Sequence, residues 1–384
     1  MHVLKLIFRN ALRHKLRTGL TVLGITIAIL AFGILRTLVH AWYSGVEAAS
    51  AARLITRNAI SLSFFLPISY KERIRQIPGV KNVSYAIWFN GTYISEKNFF
   101  ANFAVEPRTF LELFPEYALT EEQKAAYLRD RKAAIAGRRV AERFRWKIGD
   151  VITLKGTIFP GNWEFVLRGI YQGTEKNTDE TQFFFHWDYL NEHLKKTAPH
   201  RANQTGLYIV GLASPGNAAE VSESVDATFR NSLAETLTET EKAFQMSFVA
   251  MTEAIVMVIQ LVSFIVIIII MAVVANTMSM TARERTGEYA VMKTLGFSGR
   301  HIAALIFGES LLITLCGCTL GIAMTFPAAR HFGAEMGGFL PVFHVSPITL
   351  CMDAVASVFI ALASAVFPTW HAVRIRIVDG LRSV

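Results

Sequence analysis

Three stretches of this chain hold side chains whose types and spacing could do chemistry. In the first, Arg283-Glu284-Arg285-Thr286-Gly287-Glu288 returns charge abruptly after 29 charge-free residues, Ala254 to Ala282, and runs into Tyr289-Ala290-Val291-Met292-Lys293-Thr294-Leu295-Gly296. Val291, Met292 and Leu295 fall at three–four spacing, so they share one face of a short amphipathic helix, and Gly296 is placed to end it in the left-handed conformation. The chemistry of such a face is recognition: an apolar patch for a groove on another protein, with Glu288 and Lys293 as a charged rim. An ordinary basic loop between two membrane spans is the competing reading, and the segment alone leaves both open.

The other two stretches carry less. Cys316-x-Cys318 could be read as a metal site, but residues two apart on a helix face different directions, which favours small packing residues. Phe183-Phe184-Phe185-His186-Trp187 offers His186 as a ligand, yet no Cys, His or carboxylate stands near it at metal spacing. A buried strand edge is the favoured reading there. No phosphate-binding loop occurs, and the chain has no Gly-Lys dipeptide at all. Metalloprotease, nucleophile-elbow and triad signatures are absent too. The expectation is a chain with no catalytic, metal or cofactor residue of its own.

The elements that must position the first stretch are membrane helices. Of 384 residues 52% are hydrophobic, the net charge is +9 and the mean hydropathy is +0.35. Residues 1–17 carry Lys5, Arg9, Arg13, Lys15 and Arg17 between apolar residues and read as a cytoplasmic amphipathic helix on anionic lipid headgroups. Spans are expected at residues 18–39, 254–282, 303–329 and 354–373, each about long enough for a bilayer core. Val39-His40-Ala41 could pass for a signal-peptide cleavage site, but the run is too long and its basic lead-in too extended. Ionisable residues in the spans are few: Arg36, Glu253 and Glu309 near edges, and His371 near the inner end of the fourth. A proton-coupled carrier or channel needs polar groups deeper than that, so the driving energy is expected from another molecule. Cations gather at residues 283–300, which hold four, and in the tail 374–384, while the loop 330–353 is poor in them. That distribution puts both termini inside. The positive charge lacks the basic tract with aromatics that nucleic acid would require.

Residues 40–253 read as a large extracytoplasmic α/β domain. Helical character continues from Trp42 to Arg57, and again from Leu233 to Arg283 without Gly or Pro, as two stalks. Strands are expected at 60–66, at Asn82–Phe89 and from Thr92, the last two joined as a hairpin by Asn90-Gly91. Helices are expected at 69–77 and 217–229 and a strand at 206–212, one α/β layer from sequence-distant halves. A β-rich inserted subdomain covers about 134–196. Residues 118–132, with seven charged side chains, read as a solvated helix.

Here a family resemblance becomes specific. Asn276-Thr277-Met278, Arg283 to Glu288 and Lys293-Thr294-Leu295-Gly296-Phe297 closely resemble the FtsX-like permease domain of ABC transporters. Arg9-Asn10-Ala11-Leu12-Arg13-His14-Lys15-Leu16-Arg17-Thr18 with Leu23-Gly24-Ile25 is similar to its N-terminal signature. Ala136-Gly137-Arg138-Arg139-Val140-Ala141-Glu142 and Trp146-Lys147-Ile148-Gly149-Asp150 resemble the periplasmic core domain of MacB-type members. Phe367-Pro368 to Ala372 and Asp379-Gly380-Leu381-Arg382 resemble its ending. The resemblance implies four transmembrane helices, an outer α/β domain and a bacterial inner-membrane location. It makes the helix after the second span a coupling helix, which gives ATPase-coupling roles to Arg283, Glu284, Arg285, Glu288, Tyr289, Val291, Met292, Lys293, Leu295 and Gly296. The implied partners are a separate cytoplasmic ATPase dimer that binds ATP and magnesium, a second permease copy, a periplasmic adaptor or lipoprotein, and membrane lipids. MacB itself carries a fused nucleotide-binding domain, which this chain lacks. The outer domain is too large for the cell-division member. Two functions remain open: export of a lipid, lipoprotein, toxin or peptide from the periplasmic side, or activation of an external partner such as a cell-wall hydrolase without transport.

Overall fold

The computed structural model describes residues 7–9, 11, 13–175, 177–336 and 343–374. The readings of residues 1–6, of Asn10 and Leu12, and of the ending Asp379-Gly380-Leu381-Arg382 fall outside the described residues. The chain forms two units, one of residues 1–40, 253–333 and 343–384, the other of 41–252 with 334–342.

Among the described residues, four helices are long and apolar enough to cross a membrane: Lys15–Ala48, Glu253–Glu284, Gly299–Gly333 and Pro347–Arg374. In lipid the backbone has to satisfy its own hydrogen bonds, so even the β-branched run Ile265 to Ile270 is helical. Pro368 lies inside the fourth helix, which continues to Arg374. The third and first helices meet at two small residues one turn apart. A Cβ on Gly317 would lie 2.7 Å from Ile25, and one on Gly321 2.8 Å from Ile29. Thr26 Oγ1 adds a hydrogen bond to the Gly317 carbonyl at 3.2 Å. With no hydrophobic effect between helices in lipid, such close approach is what holds them. Ile25, Ile29, Ile270, Val274, Ile313 and Ile360 fill the bundle core.

The second unit is built on one mixed sheet. Its strands are β1 Arg53–Asn58, β2 Leu66–Pro67, β3 Val80–Trp88, β4 Gly91–Thr92, β5 Asn102–Val105, β6 Tyr117–Ala118, β7 Ala133–Gly137, β8 Val151–Gly156, β9 Gly161–Gly173, β10 Phe183–His186, β11 Gln204–Thr205, β12 Leu207–Leu212 and β13 Thr236–Thr240. The order is β13-β1-β12-β3-β5-β10-β7-β9-β8-β4, with β6 on β9, while β2 and β11 pair separately. β10 runs parallel to β5 and β7 parallel to β9. The period of two along each strand splits the core. Phe183 and Phe185 pack with Ile74, Leu190, Val225 and Phe229 of helices on one face. Phe184 joins Phe110 and Tyr127 of helices on the other. Helices therefore cover both faces of the sheet.

Several expectations are corrected here. The 134–196 insert is not a separate module: β7, β8, β9 and β10 continue the sheet that β3 and β5 belong to. β10 is accordingly a central strand, not an edge. Asn90-Gly91 does turn the chain, with Asn90 at φ 53, but it makes no hairpin. β3 is already flanked by β12 and β5, so β4 pairs with β8 instead. The first helix stops at Ala48, and the strand expected at 60–66 lies earlier, as β1, where β12 and β13 supply partners on both sides. Ile60 and Phe64 are left exposed. The second stalk is not continuous from Leu233. β13 occupies 236–240, a helix spans Glu241–Met251, and Thr252 breaks it before the next begins at Glu253. Thr252 Oγ1 there accepts from the Trp42 indole N–H at 2.7 Å.

Candidate functional site

The charged stretch after the second span forms a helix, Thr286–Thr294. Its end follows from Gly296, whose φ is +90. The Phe297 N–H donates to the Met292 carbonyl at 3.0 Å and the Gly296 N–H to the Lys293 carbonyl at 3.1 Å. These two bonds are the paired closure that a left-handed residue permits at a helix C-terminus.

The ten residues expected to couple to an ATPase divide into three groups. Arg285, Tyr289 and Met292 turn inward. Tyr289 is buried with Ala282, Ile302, Ile306 and Ala372, and half-buried Met292 packs on that cluster. Arg285 lies buried against Glu309 of the third spanning helix, Nη1 to Oε2 at 3.0 Å. Burial pushes the Tyr289 phenol up to about 12, the nearby Arg285 opposing it, so the ring stays neutral. Lys293 Nζ donates to the Val373 carbonyl at 2.7 Å and so caps the fourth spanning helix.

Glu284 and Glu288 form the second group. The guanidinium of Arg17 makes two bonds to Glu284, both 2.6 Å, and Arg13 pairs with Glu288. The sequence reading gave those arginines to lipid headgroups, and a spacing of 267 and 275 residues offered no signal of the pairing. Arg283, Val291 and Leu295 form the outward group with Gly296. Val291 is 46% exposed, Leu295 73%, and Phe297, which the sequence reading passed over as a site residue, 47%.

The remaining candidates have structural roles. His186 is buried and donates from Nε2 to the Tyr127 carbonyl at 2.8 Å. Cys318 is buried and Cys316 exposed, on different sides of one helix. Among the described residues, no cluster of three His, Cys, Asp or Glu could hold a metal.

Among the described residues, four helices long and apolar enough to cross a membrane, an α/β domain with helices on both faces of its sheet and a short helix anchored by one face make up the chain. The model of the MacB-like periplasmic core domain matches residues 18–228, and that of the FtsX-like permease C-terminal domain matches 260–377. The chain belongs to this family of ABC transporter permeases. Among relatives, the macrolide export ATP-binding/permease protein MacB of Shewanella is 26% identical over 167 residues, 44% of this chain and 26% of that protein. The chain thus spans about a quarter of that relative's length. An uncharacterized ABC transporter permease of Methanocaldococcus jannaschii is 22% identical over 396 residues, covering 98% of this chain and 96% of its own length. The periplasmic region of MacB from Actinobacillus actinomycetemcomitans aligns with a TM-score of 0.39 at 7% identity, over 53% of this chain and 95% of that one.

Proposed function

We propose that this chain is the membrane subunit of an ABC system whose separate ATPase dimer, holding ATP and magnesium, docks on the outward face of the helix Thr286–Thr294. The stroke of that dimer drives export or extraction of a hydrophobic or amphiphilic substrate at the far side of the membrane. The observation that carries this reading is the exposure of Val291, Leu295 and Phe297 beside an inner face already committed to Tyr289 and the Arg285–Glu309 pair. A helix so anchored offers its apolar residues outward at fixed geometry, which lowers the ordering cost of docking. The cation distribution supports termini and docking helix inside and the α/β domain outside. The reading includes a second copy of the permease in the membrane.

Co-purification with the cognate ATPase is the test. Replacing Val291 and Leu295 together by Ala removes two apolar side chains worth about 1–2 kcal/mol each at an interface, so ATPase recovery should fall by roughly tenfold or more. Thermal stability of the permease should not change. Full recovery of the ATPase with the double variant sinks the docking assignment.

A second reading, activation of an external partner, is favoured by one feature of the α/β domain. A cleft of about 890 Å³ there is lined by Glu47, Glu112, Glu116, Glu175, Asp179 and Glu241, against Arg53 and Lys81. An acidic cleft suits a basic partner segment better than an apolar substrate.

A further inference from the structure

Asp353 bounded the fourth span in the sequence reading, as a residue of the aqueous loop before it. The structure places it more than a turn inside the helix Pro347–Arg374, at 0% exposure. Among the described residues, neither carboxylate oxygen has a hydrogen-bond partner. Its surroundings explain why. Thr325 of the third spanning helix and the Asp353 carboxyl both crowd the Cα of Gly33 on the first: a Cβ there would lie 3.1 Å from Thr325 Oγ1 and 3.2 Å from Asp353 Oδ2.

The nearby hydroxyl protons are all spent elsewhere. Thr325 Oγ1 donates to the Gly321 carbonyl at 2.9 Å, Thr37 Oγ1 to the Gly33 carbonyl at 2.7 Å, and Ser357 Oγ to the main-chain carbonyl of Asp353 at 2.7 Å. A hydroxyl that has donated its proton still has lone pairs to accept one. Among the described residues, these hydroxyls therefore offer the carboxyl lone pairs and no proton, and the thiol of Cys318 is at most a weak donor. That matches a neutral carboxylic acid, which brings an O–H to donate, and fails an ionised carboxylate, which has neither donor nor cation to offset its lost hydration.

Charged groups do not alter this balance. Among the described residues, Arg36 and His40 on the first helix and Arg330 and His331 on the third make no ion pair with Asp353, and His344 precedes the fourth. The second helix carries no charge between Ala254 and Ala282. The titratable neighbour is Cys318 of the third helix, whose thiol meets Ser357.

We propose that Asp353 is a proton-binding site of the transmembrane bundle, a neutral acid near Thr325 where the first, third and fourth helices meet. Loss of the proton leaves a bare charge at that junction and loosens it. The site gives the permease a response to rising pH that is independent of ATPase docking.

The test uses the full-length permease in lipid nanodiscs. Infrared spectroscopy at neutral pH should show a protonated carboxyl carbonyl band that disappears in Asp353→Asn. Thr325→Val, which removes the neighbouring hydroxyl and keeps the acid, should keep the band. Thermal unfolding adds the functional reading. The wild type should lose stability as pH rises, because the folded state holds a proton that the unfolded chain releases. Asp353→Asn should remove that component. Absence of the band in the wild type at neutral pH overturns the proposal. So does an unchanged pH profile in Asp353→Asn, and so does a stability that depends on sodium or another cation and is lost with the carboxylate.

Discussion

Arg285 and Glu309 join the start of the short helix Thr286–Thr294 to the third spanning helix through a contact of 3.0 Å, with side chains only 5% and 9% exposed. The pair turns an otherwise short helix into a fixed projection from the bundle. Buried pairs of this kind are weak evidence of net stability, yet removing one partner leaves the other charge uncompensated.

Glu309→Gln or Arg285→Met alone should therefore destabilise the permease by about 3–5 kcal/mol. The double change Arg285→Met with Glu309→Leu should restore most of that. Thermal unfolding of the purified permease measures both. A double variant no better than the worse single one would show that the charges are needed for more than each other.

At Gly296 the cost lies in the backbone, because nothing surrounds the position within 4 Å. With φ at +90, Gly296→Ala should cost about 1–2 kcal/mol and Gly296→Val more, while Gly296→Asn should be milder. The loss should appear as weaker ATPase recovery with little change in the melting of the bundle. A Val variant that recovers the ATPase normally argues against a required helix end.

The α/β domain carries its own pH response through His186. Burial holds its ring below the ordinary histidine range, against the opposing effects of the Tyr127 carbonyl, Asp188 and Asp130. The unfolded chain therefore takes up a proton that the folded domain resists. Stability should be full above about pH 6.5 and fall as pH drops below it. His186→Phe should flatten that fall, measured by unfolding monitored through the domain's tryptophans. An equal slope in the variant assigns the response to another group.

Orientation is open to labelling. An engineered cysteine at Asn177 should react with a membrane-impermeant reagent from outside, and one at Thr286 only from inside. Reaction of both from one side contradicts the proposed topology.

Much of this was legible because some physics is local. A bilayer's width sets the length of a charge-free run, and Gly at the end of an apolar patch marks a helix stop, as at Gly296. What escaped the sequence was pairing. The alternation Phe183-Phe184-Phe185 marks a strand with two buried faces, but nothing in it says whether one or two strands flank it. Asn90-Gly91 encodes a turn, not the strand that the turn delivers. Arg13 and Glu288 are far apart in the chain, and their meeting depends on helix packing. Asp353 was misplaced for a simpler reason: charge was taken as a sign of water, and its shelter inside the bundle depends on Gly33 and Thr325 from other helices. Thr252 interrupts a helix without Gly or Pro, so composition gave no warning of the break.

The strand order also fixes when the α/β domain can be finished. β1 is flanked only by β12 and β13, so the strand made first waits unpaired until residues 207–240 have been synthesised. β5 can pair with β3 as soon as it is made, but its other edge waits for β10. Few early contacts can be closed cheaply, because each joins segments far apart in the chain. During biogenesis the first spanning helix is thus inserted long before the domain beside it can close. A chain stopped short of Leu207 would present β1 and one edge of β3 as open templates for aggregation.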